Sequence, residues 1–342
     1  MTASQAATEP EGIDIHAHGV PEGFLQEMAS SRLAGVEIDA SDGRYVVTFP
    51  GGRPLRPCAG IMLQFQERLG WLDRQGMRSQ LLAPWLDVHG QELPAGDGQV
   101  WVRRLNDAMA EAVEPCQGRL RPHATLHMAE PEAAARELER TSRDLGMTTC
   151  MIPTNFPGGH LAEARYDALW EAAQSLGIPV VLHPPTVAPS ACLFGGDMPD
   201  FRGLYGRLID TTLTAARLIV AGVFNRFPDL QLVLVHGGGF LPYQTGRFER
   251  EFGEKVEGPS PTDQVRRFHY DTTLMSGPAI GMLVELVGAG RVMIGSDYAA
   301  APVERGGGLL TDGLNAAGLD ATARRAILCE NAERLFRVPA PA

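Results

Sequence analysis

Lysine is almost missing. Of the 30 basic residues only Lys255 is a lysine, and the other 29 are arginines. A GC-rich codon bias accounts for that imbalance, but it has a chemical consequence. Any mechanism that needs a buried lysine, as a Schiff base or as a carboxylated metal bridge, has one candidate. Basic residues as a class are also scarce against 41 acidic ones, which leaves a net charge of −11. A nucleic-acid binder working through a general basic surface is excluded on that balance. Cysteine is sparse: Cys58, Cys116, Cys150, Cys192 and Cys329 are odd in number and far apart, with no CxxC. Neither a disulfide framework nor a zinc knuckle is indicated, and a reducing cytoplasm fits. No run approaches the roughly 18 consecutive apolar residues of a membrane span. The first residues, MTASQAATEPEG, lack the basic start and apolar stretch of a secretory signal. We expect a cytoplasmic protein with neither nucleic-acid nor membrane partners.

What is present is ample material for a core: 44% of the 342 residues are hydrophobic and 21% charged, outside the range of disordered chains. At roughly 150 residues per domain this length allows one or two domains, although a single α/β barrel commonly exceeds about 250 residues. The dominant signal is alternation. Short apolar runs occur at Gly12–His16, Ser79–Trp85, Arg121–Met128, Thr148–Pro153, Pro179–His183, Leu230–His236, Arg267–Thr272 and Arg291–Ser296. Helical patterns lie between them, as at Gln99–Ala112, Pro131–Leu145, Leu161–Leu176 and Leu204–Phe227. Pro131 with flanking acids suits a first helical turn, and Gly146 and Gly177 suit positions just past helix ends. Eight strand–helix units predict an α/β fold closed into a (β/α)8 TIM barrel. A doubly wound open sheet is the competing architecture. It calls for a GxGxxG after the first strand, where HAHGVPEGF stands instead. One stretch breaks the rhythm: in residues 34–60, the runs Val36–Ile38 and Tyr45–Phe49 flank Ser41-Asp42-Gly43. This reads as a β-hairpin inserted after the first strand. The expected organisation is a disordered tail over residues 1–12 and one barrel domain over 13–337.

Active sites of such barrels lie at the C-terminal ends of the strands. The first strand ends Asp14-Ile15-His16-Ala17-His18. With a side-chain period of two, Asp14, His16 and His18 are expected to share the face toward the barrel axis, with Ile13 and Ile15 facing the helices. Strand five ends in His183, strand six in His236 followed by three glycines, and strand eight in Ser296-Asp297. A single core histidine is ordinarily satisfied by a backbone carbonyl. Four apolar runs that each stop in a metal-competent or proton-transferring side chain point to one site.

DIHAH, VVLHP, VLVHGGGFLPYQTGRFE and VMIGSDY, in this order, resemble the amidohydrolase superfamily. The similarity is to its amidohydrolase-related branch, which includes aminocarboxymuconate-semialdehyde decarboxylase. LDRQGM at 72–77, GVFNRFPDLQLVLVHGGG at 222–239 and FHYDT at 268–272 extend the resemblance from about residue 13 to residue 337. It implies that His16, His18, His183 and Asp297 ligate one divalent metal, most often zinc, with manganese or iron as alternatives. It implies that Asp14 also contacts that metal in some members, and that His236 is the base beside a metal-bound water. Imidazoles and a carboxylate suit a borderline metal, and an open coordination position lowers the pKa of bound water to about 7. Two-metal members carry a carboxylated lysine at the end of strand four, where this chain has Met151-Ile152-Pro153-Thr154-Asn155. Lys255 lies elsewhere, so one metal is expected.

Arg53 and Arg56 follow the inserted hairpin, and the resemblance implies an arginine near here that binds a substrate carboxylate, a task suited to a planar guanidinium. His269 and Asp271 alternate to one face of strand seven and fit either function or barrel architecture. His89, His123, His127 and His160 have no motif around them and read as ordinary histidines, although His127 ends strand three and His160 follows strand four, where either could touch substrate. Three departures stand out. Leu274-Met275-Ser276 replaces a His-Asp pair expected after strand seven, Tyr298-Ala299-Ala300-Ala301-Pro302 stands where a proline-rich or aromatic turn is expected after the strand-eight aspartate, and the loop Pro185–Arg202 is long, with aromatics and Met198. These walls suit a substrate larger or more apolar than a small dicarboxylate. The expected activity is metal-dependent decarboxylation of an unsaturated or aromatic acid by a homodimer. Alternatives on the same site are hydrolysis of an amide, lactone, ester or C–C bond, and an iron- and O2-dependent oxygenation.

Overall fold

The computed structural model describes residues 11–185, 201–299 and 310–339. The N-terminal tail to residue 10, most of the loop expected over 185–202, and the turn through residues 300–302 lie outside the described residues. The protein is a mixed α/β structure. Parallel strands β1 (Gly12–Gly19), β5 (Met77–Pro84) and β6 (Leu120–Pro122) form one sheet. A second parallel sheet has the order β13-β12-β11-β10-β7, from β7 (Cys150–Pro153), β10 (Val180–His183), β11 (Leu232–Leu234), β12 (His269–Asp271) and β13 (Val292–Met293). Backbone hydrogen bonds join the sheets at both junctions. Met151 N donates to Ala124 O at 2.8 Å on one side; Ile15 N to Ile294 O at 2.9 Å and His18 N to Tyr298 O at 2.9 Å do so on the other.

Several strands are shorter than their apolar runs because side chains take over the ladder. Pro122 has no N–H to donate. Beyond it, Thr125 N bonds Asn106 Oδ1 at 2.8 Å and Met128 N bonds Gln91 Oε1 at 3.0 Å, so residues 125–128 pair with side chains in place of a neighbouring strand. The helices form where apolar positions recur at helical spacing. In Ala95–Val113, Trp101, Val102, Leu105 and Met109 are fully buried. Pro131 opens the helix Pro131–Leu145, and Gly146 closes it at φ 65°, a left-handed conformation that glycine adopts without strain. In the run Leu204–Phe227 a single expected helix is split: Arg207–Val220 ends before Gly222 at φ 65°, and a short turn Val223–Arg226 follows.

Residues Glu37–Ser41 (β2) and Arg44–Thr48 (β3) pair antiparallel, with Ser41 opposite Arg44. Asp42 and Gly43 both take positive φ, 52° and 69°, as a two-residue turn between such strands requires. Tyr45, Val47 and Phe49 alternate inward, and Phe49 meets Trp101 edge-on at 5.5 Å. Cys58–Ala59 (β4) adds a short third strand.

Two apolar clusters occupy the two faces of the parallel strands. Leu82, Ile152, Leu182, Leu234 and Tyr270 pack with helical residues such as Trp101, Leu138 and Trp170. Ile13, Ile15, Leu81, Met151, Val181, Val233 and Met293 form a second cluster with Ala332 and Phe336 of the last helix, Asn331–Phe336. Ile13 and Ile15 therefore face the other strands, contrary to the expectation from strict alternation. The cause is a bulge. Asp14 lies opposite Gln80 and Ala17 opposite Leu82, so three steps along β1 match two along β5. One extra residue shifts every side chain after it to the other face.

Candidate metal centre

The bulge places His16 and His18 at the C-terminal end of β1 while leaving Asp14 behind. One ligand atom each from His16, His18, His183 and Asp297 lie within 4.8 Å of one another, and all four residues are buried. His18 Nε2 is 3.2 Å from Asp297 Oδ1 and 3.2 Å from His183 Nε2. His16 Nε2 is 3.5 Å from Asp297 Oδ1. His236 stands beside them, 8% exposed, with Nε2 3.6 Å from Asp297 Oδ2.

The structure does not bring Asp14 into this group. Its Oδ1 accepts from His16 N at 3.1 Å and Ser296 N at 3.0 Å; its Oδ2 accepts from Ser296 Oγ at 2.5 Å and Gln80 Nε2 at 2.6 Å. Gln80 in turn accepts from Arg68 Nη1 at 3.1 Å, and Arg68 Nη2 donates to His18 O at 2.7 Å. Asp14 is thus the hub of a buried network that pins the bulge and the last residues of β1. Burial raises its pKa despite these donors.

Outer hydrogen bonds set the tautomers of two of these histidines. His16 Nδ1 donates to Asp271 Oδ2 at 2.6 Å, and His183 Nδ1 to the Pro184 carbonyl at 2.8 Å. Each ring then directs an Nε2 lone pair inward. Asp271 is itself held by Thr273 Oγ1 at 2.7 Å and Gly237 N at 2.9 Å. Among the described residues, His16 Nε2 and Asp297 Oδ1 are buried with no hydrogen-bond partner. Converging lone pairs and a carboxylate oxygen without donors need a cation between them, so these residues fit a divalent metal.

The electrostatics agree. Burial works against charge on Asp297, but His16, His18 and His236 hold its pKa well below the usual carboxylate range. Burial lowers His18 to about 4, partly opposed by Asp297. Burial, then the neighbouring histidines, takes His183 well below its ordinary value. For His16, burial is outweighed by Asp297 and Asp271, and its pKa is raised.

Backbone strain is concentrated here. His236 and Asp297 both take φ 55°. Left-handed non-glycine residues cost on the order of 1–3 kcal/mol and persist where the surroundings dictate them. The Asp297 turn is tied by its N to His16 O at 2.8 Å. The glycines after His236 have no substitute: a Cβ on Gly237 would lie 2.5 Å from Leu274, one on Gly238 2.5 Å from the Tyr270 ring, and one on Gly239 2.4 Å from Leu208 O.

The remaining candidates scatter. Arg53 and Arg56 are exposed, and the Arg56 guanidinium lies 4.6 Å over the Trp85 ring, just past β5. Near it a cavity of about 350 Å³ is lined by Leu55, Leu86, Pro153, Phe156 and Pro185, with Asp87 and Glu92. His127 is buried over Gly98, where an added Cβ would come within 2.3 Å of the ring. His160 is partly exposed, 4.0 Å from Glu163. His89 bonds Thr125 Oγ1 and the Pro84 carbonyl, and His123 bonds Thr149 Oγ1, as ordinary core histidines do. His269 lies at the opposite end of β12 from Asp271. In the sequence Asp271 fits function and architecture equally. Its place at the end of an apolar run, like that of His183, was the available signal.

This arrangement defines a histidine–carboxylate metal site on a parallel α/β scaffold, and the sequence profile of the amidohydrolase family matches residues 13–338. The chain belongs to that family. It is 26% identical to 2-amino-3-carboxymuconate-6-semialdehyde decarboxylase of Dictyostelium discoideum, over 84% of this chain and 81% of the relative. It is 28% identical to gamma-resorcylate decarboxylase of Polaromonas, over 81% of this chain and 89% of the relative. Its fold matches the crystal structure of a Polaromonas dihydroxybenzoic acid decarboxylase with bound manganese and the inhibitor 2-nitroresorcinol. That match has a TM-score of 0.78 and 22% identity, covering 96% of this chain and 97% of the other. Among the described residues no helix is long and apolar enough to cross a membrane.

Proposed function

We propose that the protein is a metal-dependent decarboxylase of an aromatic or unsaturated carboxylic acid. The observation that carries this reading is the buried group of His16, His18, His183 and Asp297 with His236 at its edge. The names of the relatives supply the substrate class. We assign His16, His18, His183 and Asp297 as ligands of one divalent ion, zinc or manganese; Asp14 is assigned to the network that holds β1. A divalent ion bound there supplies positive charge to the substrate oxygens. The bond from the substrate carbon to its carboxylate breaks, its electron pair stays on that carbon, and CO2 leaves. His236 delivers the proton that takes its place. Arg53 and Arg56 are assigned to the remaining substrate charge near the Leu86–Phe156 cavity. The two sheets are read as one (β/α)8 barrel over residues 13–337 with the 34–60 hairpin inserted, in a cytoplasmic homodimer.

The test is CO2 release from a panel of hydroxybenzoates and muconate-type acids, with zinc or manganese added after chelation. Reaction in D2O should place deuterium on the carbon that lost its carboxylate. No CO2 from any acid, together with ¹⁸O from water entering products of an ester, lactone and amide panel, would overturn decarboxylation in favour of hydrolysis.

A further inference from the structure

The strands that carry the metal centre at their C-terminal ends frame a second cavity at their N-terminal ends. Gln231 immediately precedes β11, His269 opens β12, Arg291 immediately precedes β13, and Gly177 lies three residues before β10. Arg334 and Arg337 join them from the last helix and its C-cap. These residues line a cavity of about 660 Å³, and among the described residues no acidic one lines it.

Three arginines around one space are notable in a chain of net charge −11. Each is held in place by neutral acceptors. Arg291 Nη1 lies 3.1 Å from His269 Nε2 and 3.4 Å from Arg267 O. Arg334 Nη2 donates to Asn331 Oδ1 at 2.7 Å, and Arg337 Nη2 to Gly177 O at 3.2 Å. A Cβ on Gly177 would lie 2.5 Å from the Arg337 guanidinium, so glycine there admits the close approach. A guanidinium has five N–H donors, and these contacts leave several on each. Burial and then the charge of Arg334 lower the Arg291 pKa.

His269 adds an independent indication. It is 4% exposed, and burial followed by Arg291 and Arg334 pushes its pKa down to about 3, so the ring is neutral. Its Nε2 lies 3.1 Å from both Arg291 Nη1 and Gln231 Oε1. Among the described residues its Nδ1 is buried without a partner. Three guanidiniums with spare N–H donors around a buried, unpartnered ring nitrogen call for acceptor oxygens.

We infer that this cavity binds a phosphate-bearing small molecule, at a site separate from the metal centre. A dianionic tetrahedral group matches several guanidiniums at once, and the volume exceeds that of a lone phosphate. The wall is built by the starts of β10–β13 and by the last helix, so an occupant ties that helix to the strands that position His183, His236, Asp271 and Asp297.

The test uses the full-length, metal-loaded protein at constant ionic strength. Calorimetric titration and melting are followed with inorganic phosphate, a sugar phosphate and succinate. Phosphate binding with a raised melting temperature is expected, weakened about tenfold or more by Arg334→Gln and by Arg337→Gln, each of which removes an exposed side chain. Metal content and turnover of both variants should match the wild type. Tighter binding of the sugar phosphate assigns an organic phosphate; equal binding assigns free phosphate; both support the site. No binding of either phosphate overturns the inference, as does binding unchanged in both variants, which would mark an adventitious ion only. Succinate bound as tightly as phosphate overturns the assignment to phosphate.

Discussion

His269 and Asp271 are two residues apart on one three-residue strand, and they face opposite chemical regimes. At the C-terminal end Asp271 is kept charged: burial opposes this, but His16 above all holds its pKa down. At the N-terminal end His269 is kept neutral among arginines. One end of the strands gathers carboxylates and lone pairs suited to a cation; the other gathers guanidiniums suited to an anion. A parallel sheet makes this separation natural, because all strand starts lie at one rim and all strand ends at the other. Chemistry is thereby separated from the face that supports stability.

The largest effect should come from the cation-binding end. Asp297→Asn leaves a left-handed turn that Asn tolerates while removing the ligand charge. It should lower kcat/KM by on the order of a thousandfold or more and bring the metal content close to zero by elemental analysis. Full metal content in that variant would show that Asp297 is no ligand and would dissolve the contrast between the ends.

Asp271→Asn tests how far the orienting contact matters. Asn offers His16 either an oxygen or an NH2, so the tautomer that aims the Nε2 lone pair inward is no longer enforced. Metal affinity should fall by about 10- to 100-fold with the fold intact by circular dichroism. Unaltered affinity would leave Asp271 an architectural residue. Asp14→Asn should behave differently. Metal content should stay near the wild-type level, and denaturant unfolding should show a loss of about 1–3 kcal/mol, because the new NH2 meets the donors of Gln80 or Ser296.

These two aspartates also mark what could be read from the sequence. His183, His236 and Asp297 were legible because each ends an apolar run, and the three glycines after His236 announced a sharp turn. The strand–helix alternation and the Asp42-Gly43 turn were legible for the same local reasons. The face assigned to Asp14 was not, because the bulge in β1 depends on hydrogen bonds from residues near 80 and 296. The end of the β6 run was overdrawn, as apolar character continues where the backbone has already turned to side-chain partners such as Asn106 and Gln91. The arginine cavity draws on residues 177, 231, 269, 291, 334 and 337, which no local pattern connects.

Acid should weaken the protein through its buried neutral histidines. His89, His123 and His269 are each pushed down to about 3, chiefly by burial. Unfolded, they titrate near 6.5. Between those values the unfolded chain binds more protons, so stability is present above about pH 6.5 and is lost as pH falls toward 3. Each contributes at most about 1.4 kcal/mol per pH unit. Unfolding midpoints measured from pH 7 to 4.5 should fall, and His269→Gln should flatten the slope. Added phosphate should raise the whole curve. A wild-type curve flat across this range would contradict the buried neutral state.

The smallest effect is expected at the rim of the metal end. Arg56 is exposed, and its guanidinium is held over the Trp85 ring at 4.6 Å, a contact worth about 0.5–1 kcal/mol at an exposed site. A charge that attracts substrate without touching the breaking bond acts equally on ground and transition states. Its loss then raises KM and spares kcat. Arg56→Gln should raise KM about three- to fivefold for a charged acid, with kcat unchanged and the increase shrinking at high salt. Arg56→Lys should recover most of the charge effect while losing the stacked geometry. A drop in kcat with KM unchanged would move Arg56 out of substrate capture and into the chemical step, and the rim would then belong to the same apparatus as the buried ligands.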